Sequence, residues 1–352
     1  MIAFKDGLTI GGDSPIRVNC NIGCNKIEDI QSEFSKIEFI QSCNELPDMM
    51  MDLSLIELEE PLYNYIKNNL GLPFGVVLSY HRFTKSKGYQ WEDIRDAFLQ
   101  LCYDGVSFVT IHFTADLDLF SRANQIRKIP VTSRGGGMVL YDSRINNRTQ
   151  NIFRENIDEI ANIALKHNVV ISLGTTFRPG TILDACDSVH IEETLRQLSI
   201  CRLLQSKGVK VMVENIGHIT LDKIATHSKL LSKFNAPIMP LGPLPTDAAI
   251  NEDHIANAIG ATFAAYIGCT HIINCVTRYE HSKSVITKDV TIEAIRAAKV
   301  AAHIADLSRN INEANLYDTS ITNNRVKEHC CFADSNNCTR CSAVCPLKLT
   351  SI

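Results

Sequence analysis

The feature that most limits the fold of this chain is the alternation of short apolar runs with helical patterns between residue 17 and about residue 308. Nine runs have the length and composition of strands: RVNCNIG, MMMDLS, FGVVLSY, VSFVTIHF, PVTSRG, VVISLG, VKVMVEN, PIMPLG and HIINCV. Strands that are apolar on both faces and alternate with helices are typical of a parallel sheet. Nine candidates are close to the eight strands of a (β/α)8 barrel, so we predict an α/β fold of this TIM type over residues 1–308, with one surplus run. An open doubly wound sheet is less favoured, because no G-x-G-x-x-G opens a helix.

Length and charge narrow the class of protein. The 352 residues suit one barrel with a small appendage, and the formal net charge of −4 provides no basic footprint for nucleic acid. The first residues, MIAFKDG, have no apolar core before two charged residues, so no secretory signal is predicted. The apolar stretch IANAIGATFAAYIGCTHIINCV contains Asn, Thr and His, which favours a buried helix and strand over a membrane span. We expect a cytoplasmic protein without a nucleic-acid or membrane partner.

Polar residues and glycines follow nearly every predicted strand. They include Asn21 with Gly23, Asp52, Tyr80 with His81, His112, SRGGG, GTTFR, ENIGH and RYEH. In a barrel of this type the carboxyl ends of the strands meet at one mouth, where active sites are built. Ordinary turn chemistry explains some of these residues singly, but not the recurrence of His and Arg. The pattern therefore predicts a polar cavity at the mouth.

Two of these segments suit an anionic ligand. SRGGG offers backbone N–H groups and the guanidinium of Arg134, and FRPG adds Arg178 at another strand end. A glycine-rich turn without a ligand explains SRGGG about as well. Two arginines on one rim favour an anionic substrate, and His112 could hydrogen-bond it.

Two histidines are candidate metal ligands. His218 and His281 each end a predicted strand. Two imidazoles at one mouth could hold a divalent metal with open positions, as catalytic sites need. A structural role is the commoner one for any single histidine, so both interpretations remain open at this level. His254, in the sequence DHI, is expected to begin a helix.

The last residues carry an unusual group of cysteines. After the polar, Asn-rich segment NINEANLYDTSITNNRVKEH comes Cys338-x2-Cys341-x3-Cys345-Pro346. The spacing resembles the end of a bacterial ferredoxin run, and three thiolates can hold a 4Fe-4S cluster with one iron left open to S-adenosylmethionine. A zinc knuckle completed by a residue of the preceding His-Cys-Cys is equally compatible with the tail alone. We predict a linker and cluster arm over residues 309–352, and buried free thiols for most of the eight cysteines before it.

Taken together, blocks along nearly the whole chain resemble one family. They are VNCNIG, MDLS, WEDIRDAFLQLCYDGVSFVTIH, SRGGG, SLGTTFRPGTILDACD, GVKVMVENIGH, LGPLPTDAA, EDHIANAIGA and CVTRYEH, followed by the cysteine trio. In this order they resemble the phosphomethylpyrimidine synthase family of thiamine biosynthesis, whose members are radical S-adenosylmethionine enzymes. The resemblance implies a (β/α)8 barrel, a mobile cluster arm, a homodimer whose arms reach the neighbouring active site, and an external electron donor. It also implies that the substrate is aminoimidazole ribotide, which is rearranged to hydroxymethylpyrimidine phosphate.

The resemblance also implies roles for individual residues. Substrate contacts are expected from Asn21, Met51, Tyr80, His112, Ser133, Arg134, Gly135, Arg178 and Glu214. Glu214 and His112 would hold the ribotide and move protons. His218 and His281 would bind zinc or iron. Cys338, Cys341 and Cys345 would bind the 4Fe-4S cluster.

The chain departs from the family pattern at several places. The second cysteine gap is one residue shorter, Thr175-Thr176-Phe177 replaces Asp-Gly-Leu, Asn215-Ile216 replaces Gly-Pro, Met239 replaces a tyrosine, and the N-terminal domain of many members is missing. Two alternatives therefore stay open. One is a 5-hydroxybenzimidazole synthase, which makes a cobamide lower-ligand precursor from the same ribotide, and some members of that branch work as unlike pairs. The other is a non-catalytic partner subunit that binds ribotide and metal.

Overall fold

A computed structural model describes residues 1–283, 286–326 and 341–349 of the chain. The chain divides into two compact units, Met1–Ala305 and Asp306–Ile352. The first contains the barrel. Within the described part of the chain, none of the helices combines the length and apolarity that crossing a bilayer requires.

The first unit is built on an eight-stranded parallel sheet. A two-stranded antiparallel hairpin, β1 (Ile2–Ala3) and β2 (Thr9–Ile10), precedes it. The sheet strands are β3 (Arg17–Ile22), β4 (Met49–Asp52), β5 (Phe74–Val77), β6 (Phe108–Ile111), β7 (Val170–Leu173), β8 (Val211–His218), β9 (Ile238–Leu244) and β10 (Ile272–Asn274). Each strand pairs with the next in sequence, and β10 pairs with β3. The His271 backbone N–H donates to the Ile238 carbonyl at 2.8 Å, so the last two strands also meet and the sheet closes into a barrel.

In the first unit helices follow the strands and cover the outside of the sheet, and the described part of the second unit contains further helices. Their bounds are α1 (Ile30–Ser42), α2 (Leu62–Tyr65), α3 (Trp91–Asp104), α4 (Leu117–Ile126), α5 (Arg134–Ile145), α6 (Ile152–Glu155), α7 (Ile157–His167), α8 (Ser188–Ser206), α9 (Leu221–Leu231), α10 (Asp253–Tyr266), α11 (Lys288–Ser308), α12 (Asn312–Val326) and α13 (Pro346–Leu349). The helices turn an apolar stripe toward the strands, which explains their period near 3.6 residues. The predicted (β/α)8 barrel is confirmed. His254 lies in the first turn of α10, as expected.

Two apolar layers hold the barrel together. Between sheet and helices lies a continuous core that contains residues such as Val109, Phe98 and Ile160. Inside the barrel, Met49, Phe108 and Met212 pack with Phe4 and other apolar residues. The ring of Phe4 stacks on that of Phe108 with centroids 5.5 Å apart, so the N-terminal hairpin closes the amino end of the barrel. The opposite, carboxyl end is the one that remains open to a ligand.

One prediction of local structure was wrong. The run PVTSRG is the surplus candidate, because its last residues begin α5 rather than end a strand. Ser133 caps this helix by accepting the Gly136 backbone N–H at 3.0 Å. The segment 309–326, predicted to belong to a linker and cluster arm, contains helix α12 over Asn312–Val326 despite its weak apolar periodicity. Its role as a linker and cluster arm stays a prediction.

Candidate functional site

A cavity of about 490 Å³ lies at the carboxyl end of the barrel strands. The predicted site residues Asn21, Met51, Tyr80, His112, Ser133, Arg134, Arg178, Glu214, His218 and His281 all line it. They come from separate strand ends and loops, as expected when parallel strands converge on one mouth. Gly135 lies next to Ser133 at the start of α5. The sequence-predicted residues of the barrel are thus brought together at a single site.

Two arginines give one side of the cavity a positive charge. Arg178 is half-buried, and its Nη1 donates a hydrogen bond to the Thr175 carbonyl oxygen at 3.2 Å. Arg134 lies over the Tyr80 ring, 5.8 Å from its centroid, and donates to Asn25 Oδ1 at 3.1 Å. Among the described residues no carboxylate forms an ion pair with either guanidinium. Both groups are therefore available to an anionic ligand.

The start of α5 forms the floor beside these arginines. Ser133 Oγ lies 3.0 Å from His112 Nε2. The serine oxygen accepts from Gly136 and can still either donate to Nε2 or accept from it, so this contact does not fix which ring nitrogen, Nδ1 or Nε2, carries the His112 proton. This Nδ1 is buried and has no hydrogen-bond partner among the described residues. Burial, assisted by the charge of Arg178, lowers the pKa of His112 to about 3, so the imidazole is neutral at pH 7.

Gly135 is required by the close approach of this helix to His112. A β-carbon at Gly135 would lie 2.5 Å from His112 Cε1 and 2.7 Å from Ser79 Oγ. The next glycine but one, Gly137, has no atom within 4 Å of such a position. The first glycine of the GGG sequence therefore serves packing around the imidazole, whereas the third is free to change.

Glu214 lies on β8 and is buried at the centre of the cavity. Thr110 donates to Glu214 Oε1 at 2.7 Å, and Ser172 donates to the same oxygen at 3.5 Å. Burial raises the pKa of Glu214 to about 7, although these hydrogen bonds and Arg178 favour the charged form. The carboxyl group therefore exchanges a proton near neutral pH, which suits a general acid or base.

Asn21 and Met51 complete the wall on the side of the first strands. Asn21 Oδ1 accepts from Asn19 Nδ2 at 2.7 Å, and Asn19 is in turn bonded to Asn274 at 2.6 Å. This chain of amides orients the Asn21 side chain before any ligand arrives. Met51 is buried with the apolar residues inside the barrel, and Tyr80 packs against that cluster.

His218 and His281 form a pair at the edge of the cavity. Their rings are 4.9 Å apart, centroid to centroid, at 70°. His218 Nδ1 lies 2.7 Å from Asp247 Oδ1, and His281 Nδ1 lies 3.2 Å from Asp253 Oδ1. Carboxylates at both Nδ1 atoms favour the Nδ1–H tautomers and leave each Nε2 lone pair for a metal ion. The donor set fits a divalent metal with open coordination positions.

The sequence interpretation missed the residues that support the site. The carboxylate partners of the histidine pair are Asp247 and Asp253, from the quoted blocks LGPLPTDAA and EDHIANAIGA, and neither aspartate was predicted as a site residue. Glu193 was not singled out. Its buried carboxylate accepts from Thr175 Oγ1 at 2.6 Å and from the Phe177 backbone at 2.8 Å. It thereby holds the loop that carries Arg178, and its only signal was an acidic residue on the buried face of a helix.

The cysteines before the tail follow the sequence expectation that most are buried free thiols. Five of the eight are buried, and Cys43, Cys186 and Cys275 are half-buried. Cys338 lies outside the described residues. Cys341 and Cys345 flank a single 3-10 turn over Ser342–Val344, and both are half-buried. The shortened gap between them is therefore one compact turn of the backbone.

The carboxyl mouth of the closed (β/α)8 barrel holds two arginines, a carboxyl group whose pKa is raised to about 7 and a histidine pair, and this arrangement suits an anionic ligand. Comparison with known proteins gives the family. The model of the Radical SAM ThiC family matches residues 4–331, so the chain belongs to this family and is a radical S-adenosylmethionine enzyme. Membership implies a 4Fe-4S cluster and S-adenosylmethionine. The match ends before Cys338, so it includes none of the three predicted cluster ligands.

Curated relatives agree with this assignment. The chain is 34% identical over 334 residues to a phosphomethylpyrimidine synthase of Sulfurisphaera tokodaii, covering 92% of this chain and 76% of the relative. It is 32% identical to a phosphomethylpyrimidine synthase of Carboxydothermus hydrogenoformans, covering 87% and 72%. Among solved structures, a dihydropteroate synthase of Coxiella burnetii aligns with a TM-score of 0.46 at 12% identity, over 82% of this chain and 94% of that one. This structural similarity is too low to support an inference.

Proposed function

We propose that this enzyme rearranges aminoimidazole ribotide to hydroxymethylpyrimidine phosphate, a step of thiamine biosynthesis. The observation that carries the proposal is the single cavity that joins Arg134 and Arg178, Glu214, His112 and the histidine pair. The relatives named phosphomethylpyrimidine synthase support this choice of reaction.

The phosphate of the ribotide would bind between the arginines and the start of α5. Arg178 and Arg134 have donors to spare, and backbone N–H groups at a helix N-terminus attract anions. Arg178 is held in place because Glu193 fixes the backbone of the loop before it. The grip is therefore built before the substrate arrives, which lowers the entropy cost of binding.

Glu214 and His112 would contact the imidazole and ribose. The Nδ1 atom of His112 is buried without a hydrogen-bond partner among the described residues, and a polar group of the ribotide would satisfy it. Glu214 can accept or donate one proton near pH 7, because its pKa is raised to about 7 by burial. Asn21, Met51 and Tyr80 would complete the contacts of the base and sugar.

His218 and His281 would hold zinc or iron through their Nε2 atoms, with Asp247 and Asp253 behind them. Such an ion, when bound, would polarise an oxygen of the substrate or of a leaving fragment. We propose Cys338, Cys341 and Cys345 as ligands of the 4Fe-4S cluster, because three thiolates leave one iron open. The cluster and S-adenosylmethionine would supply a deoxyadenosyl radical that abstracts ribose hydrogen, with the electron coming from an external donor. A homodimer that exchanges cluster arms, or a pair with an unlike paralogous subunit, is part of this proposal.

The positions at which the chain departs from the family pattern bear on the product. The Thr175 hydroxyl and the Thr176 backbone N–H both donate to the Glu193 carboxylate. Asn215 Oδ1 contacts the buried histidines of α8 and α9. None of these three residues lines the cavity, and Met239 is buried inside the barrel. This placement supports an unchanged ribotide pocket and therefore the pyrimidine product over 5-hydroxybenzimidazole.

The test is a product analysis. The full chain would be reconstituted anaerobically with iron and sulfide and incubated with S-adenosylmethionine, a reductant and aminoimidazole ribotide. We expect deoxyadenosine and hydroxymethylpyrimidine phosphate by mass spectrometry. Deoxyadenosine with 5-hydroxybenzimidazole would replace the proposed reaction by the cobamide one. Ribotide binding without deoxyadenosine would indicate a non-catalytic subunit.

A further inference from the structure

A second group of metal-binding side chains lies beneath the active-site loop. Cys186 is at the end of the loop between β7 and α8, His190 is in the first turn of α8, and His227 is on α9. Each residue offers one ligand atom such that the three atoms lie within 4.8 Å of one another. Both histidines are buried and Cys186 is half-buried. The group shares no residue with the His218 and His281 pair.

Asn215 fixes the protonation of both imidazoles. Its Nδ2 donates to Gln197 Oε1 at 2.8 Å, so its Oδ1 faces the histidines. His190 Nε2 and His227 Nε2 lie 3.3 Å and 3.0 Å from this oxygen. Since a carbonyl oxygen only accepts, both rings carry their proton on Nε2 and keep the Nδ1 lone pair. Metal-binding histidines usually have such an acceptor at the second ring nitrogen.

A hydrogen bond at His190 supports this tautomer independently. The Cys186 backbone N–H donates to His190 Nδ1 at 3.2 Å, which requires an unprotonated Nδ1, and a metal ion at that lone pair would replace this hydrogen bond. The rings of His190 and His227 stack at 4.2 Å with an angle of 26°. Burial lowers the pKa of His227 to about 4 and lowers the pKa of His190 well below its ordinary value. Both side chains are therefore neutral imidazoles, the form that binds metals.

The backbone of Cys186 is in an uncommon conformation. Its φ is +62°, in the left-handed region that residues with a β-carbon seldom adopt. In this conformation the thiol lies 3.9 Å from the Lys223 carbonyl oxygen, at the start of α9. The strained residue thus directs its sulfur toward the helix that carries His227. Burial raises the pKa of the thiol, so a metal would displace its proton.

We propose that Cys186, His190 and His227 bind one Zn²⁺ ion through Sγ and the two Nδ1 atoms. One thiolate and two imidazoles are ligands that suit zinc, and a tetrahedral site would take water as the fourth ligand at the partly exposed Cys186 edge. Zinc bonds of about 2.0–2.3 Å imply ligand atoms about 3.3–3.8 Å apart, so binding would draw together ligand atoms that now lie within 4.8 Å of one another and would turn the stacked rings until both Nδ1 lone pairs meet one ion. Calcium and magnesium are excluded by the absence of oxygen ligands.

The ion would hold in place the loop between β7 and α8, which carries Arg178. Asp187 follows Cys186, caps α8 and pairs with Arg127 at 2.7 Å. Arg127 in turn donates to the Phe177 carbonyl at 2.6 Å, next to Arg178. A metal at Cys186 would join this end of the loop to both α8 and α9. Its role is therefore structural, and it does not depend on the reaction proposed above.

The test uses Co²⁺ as a spectroscopic substitute for zinc. The parent is the full chain in which all five tail cysteines are changed to serine, which removes the tail thiolates: Cys330→Ser, Cys331→Ser, Cys338→Ser, Cys341→Ser and Cys345→Ser. We expect one equivalent of Co²⁺ to give thiolate-to-cobalt absorption in the near ultraviolet, which Zn²⁺ abolishes. Cys186→Ser should remove this absorption. His218→Ala with His281→Ala should leave it, and so should the matched control Cys43→Ser, which changes another half-buried cysteine.

Two measurements keep the result interpretable if a variant fails to fold. Circular dichroism reports the fold of each variant, and X-ray absorption at the zinc edge of the parent needs no change at Cys186. For this measurement the parent also carries His218→Ala and His281→Ala, so that zinc cannot bind at the histidine pair. We expect a zinc ion surrounded by one sulfur and at least two imidazole nitrogens. An absorption band that persists in Cys186→Ser, or a zinc shell without sulfur, would overturn the proposal. Either outcome leaves the product assay for the ribotide reaction unaffected.

Discussion

The charge state of Glu214 can be tested by the change Glu214→Gln. Burial raises the pKa of Glu214 from 4.5 to about 7 in the folded protein. The neutral glutamine has nearly the same shape and cannot ionise. It can be placed in the same buried position beside Thr110, whose hydroxyl can still donate to the amide oxygen. The change therefore isolates the cost of the buried charge.

The size of the effect follows from the pKa difference. A rise from 4.5 to about 7 is worth about 3 kcal/mol at high pH. Folding becomes less favourable as the pH rises from 4.5 to about 7, because the unfolded chain releases the proton first. Most of this free energy, about 2–3 kcal/mol, accumulates between about pH 5 and about pH 8. Relative to the wild type, Glu214→Gln should therefore gain about 2–3 kcal/mol of unfolding free energy over this interval.

Urea unfolding at several pH values measures the difference. The matched control is Glu59→Gln, which changes an exposed glutamate and should have a flat difference. A flat difference for Glu214→Gln as well would refute the reasoning, since Glu214 would then be ionised across the range. In turnover, the variant should also lose the pH dependence near 7 that a single exchanging carboxyl group imposes.

Other expectations concern the remaining parts of the site. Gly135→Ala should cost about 1–3 kcal/mol of stability, because its β-carbon would meet the buried imidazole, whereas Gly137→Ala should be near neutral; thermal unfolding compares them, and equal effects would contradict the packing argument. Arg178→Lys should weaken ribotide binding about ten- to a hundredfold in calorimetry, because lysine lacks the forked donors, and unchanged affinity would remove Arg178 from the phosphate grip. Asp247→Ala should lower zinc affinity of the histidine pair about ten- to a hundredfold in competition with a chelator; an unchanged affinity would show that the carboxylate does not support His218.

The barrel fold and the set of residues that line its cavity were predictable, because both depend on the local pattern of apolar and polar residues. Strands such as VVISLG and VKVMVEN are apolar throughout, and residues at their carboxyl ends must meet once the sheet is parallel. The run PVTSRG misled because a proline and β-branched residues also suit an extended approach to a helix. Ser133 in this run is the N-cap of a helix, and the local sequence pattern does not distinguish an N-cap serine from a serine at the end of a strand.

The partners of the site residues could not be predicted in the same way. Glu193 lies about one helical turn beyond the loop that it holds, and Asp247 contacts His218 across the gap between two strands. The charge of a residue and its spacing in the sequence do not indicate which backbone N–H a buried carboxylate will contact. The grouping of Cys186, His190 and His227 is of this kind as well, since His227 reaches it from a different helix.

The sequence alone determined the alternation of elements, the polar mouth and the identity of the groups that line it, because strand and helix periods and residue chemistry are local properties. Only the tertiary structure decided the state of those groups. The pKa of Glu214 near 7, the neutral His112 and the tautomers at Asn215 follow from burial and from contacts between residues far apart in the chain. Burial and hydrogen bonding are set by the packing of the whole barrel, which no short stretch of sequence contains.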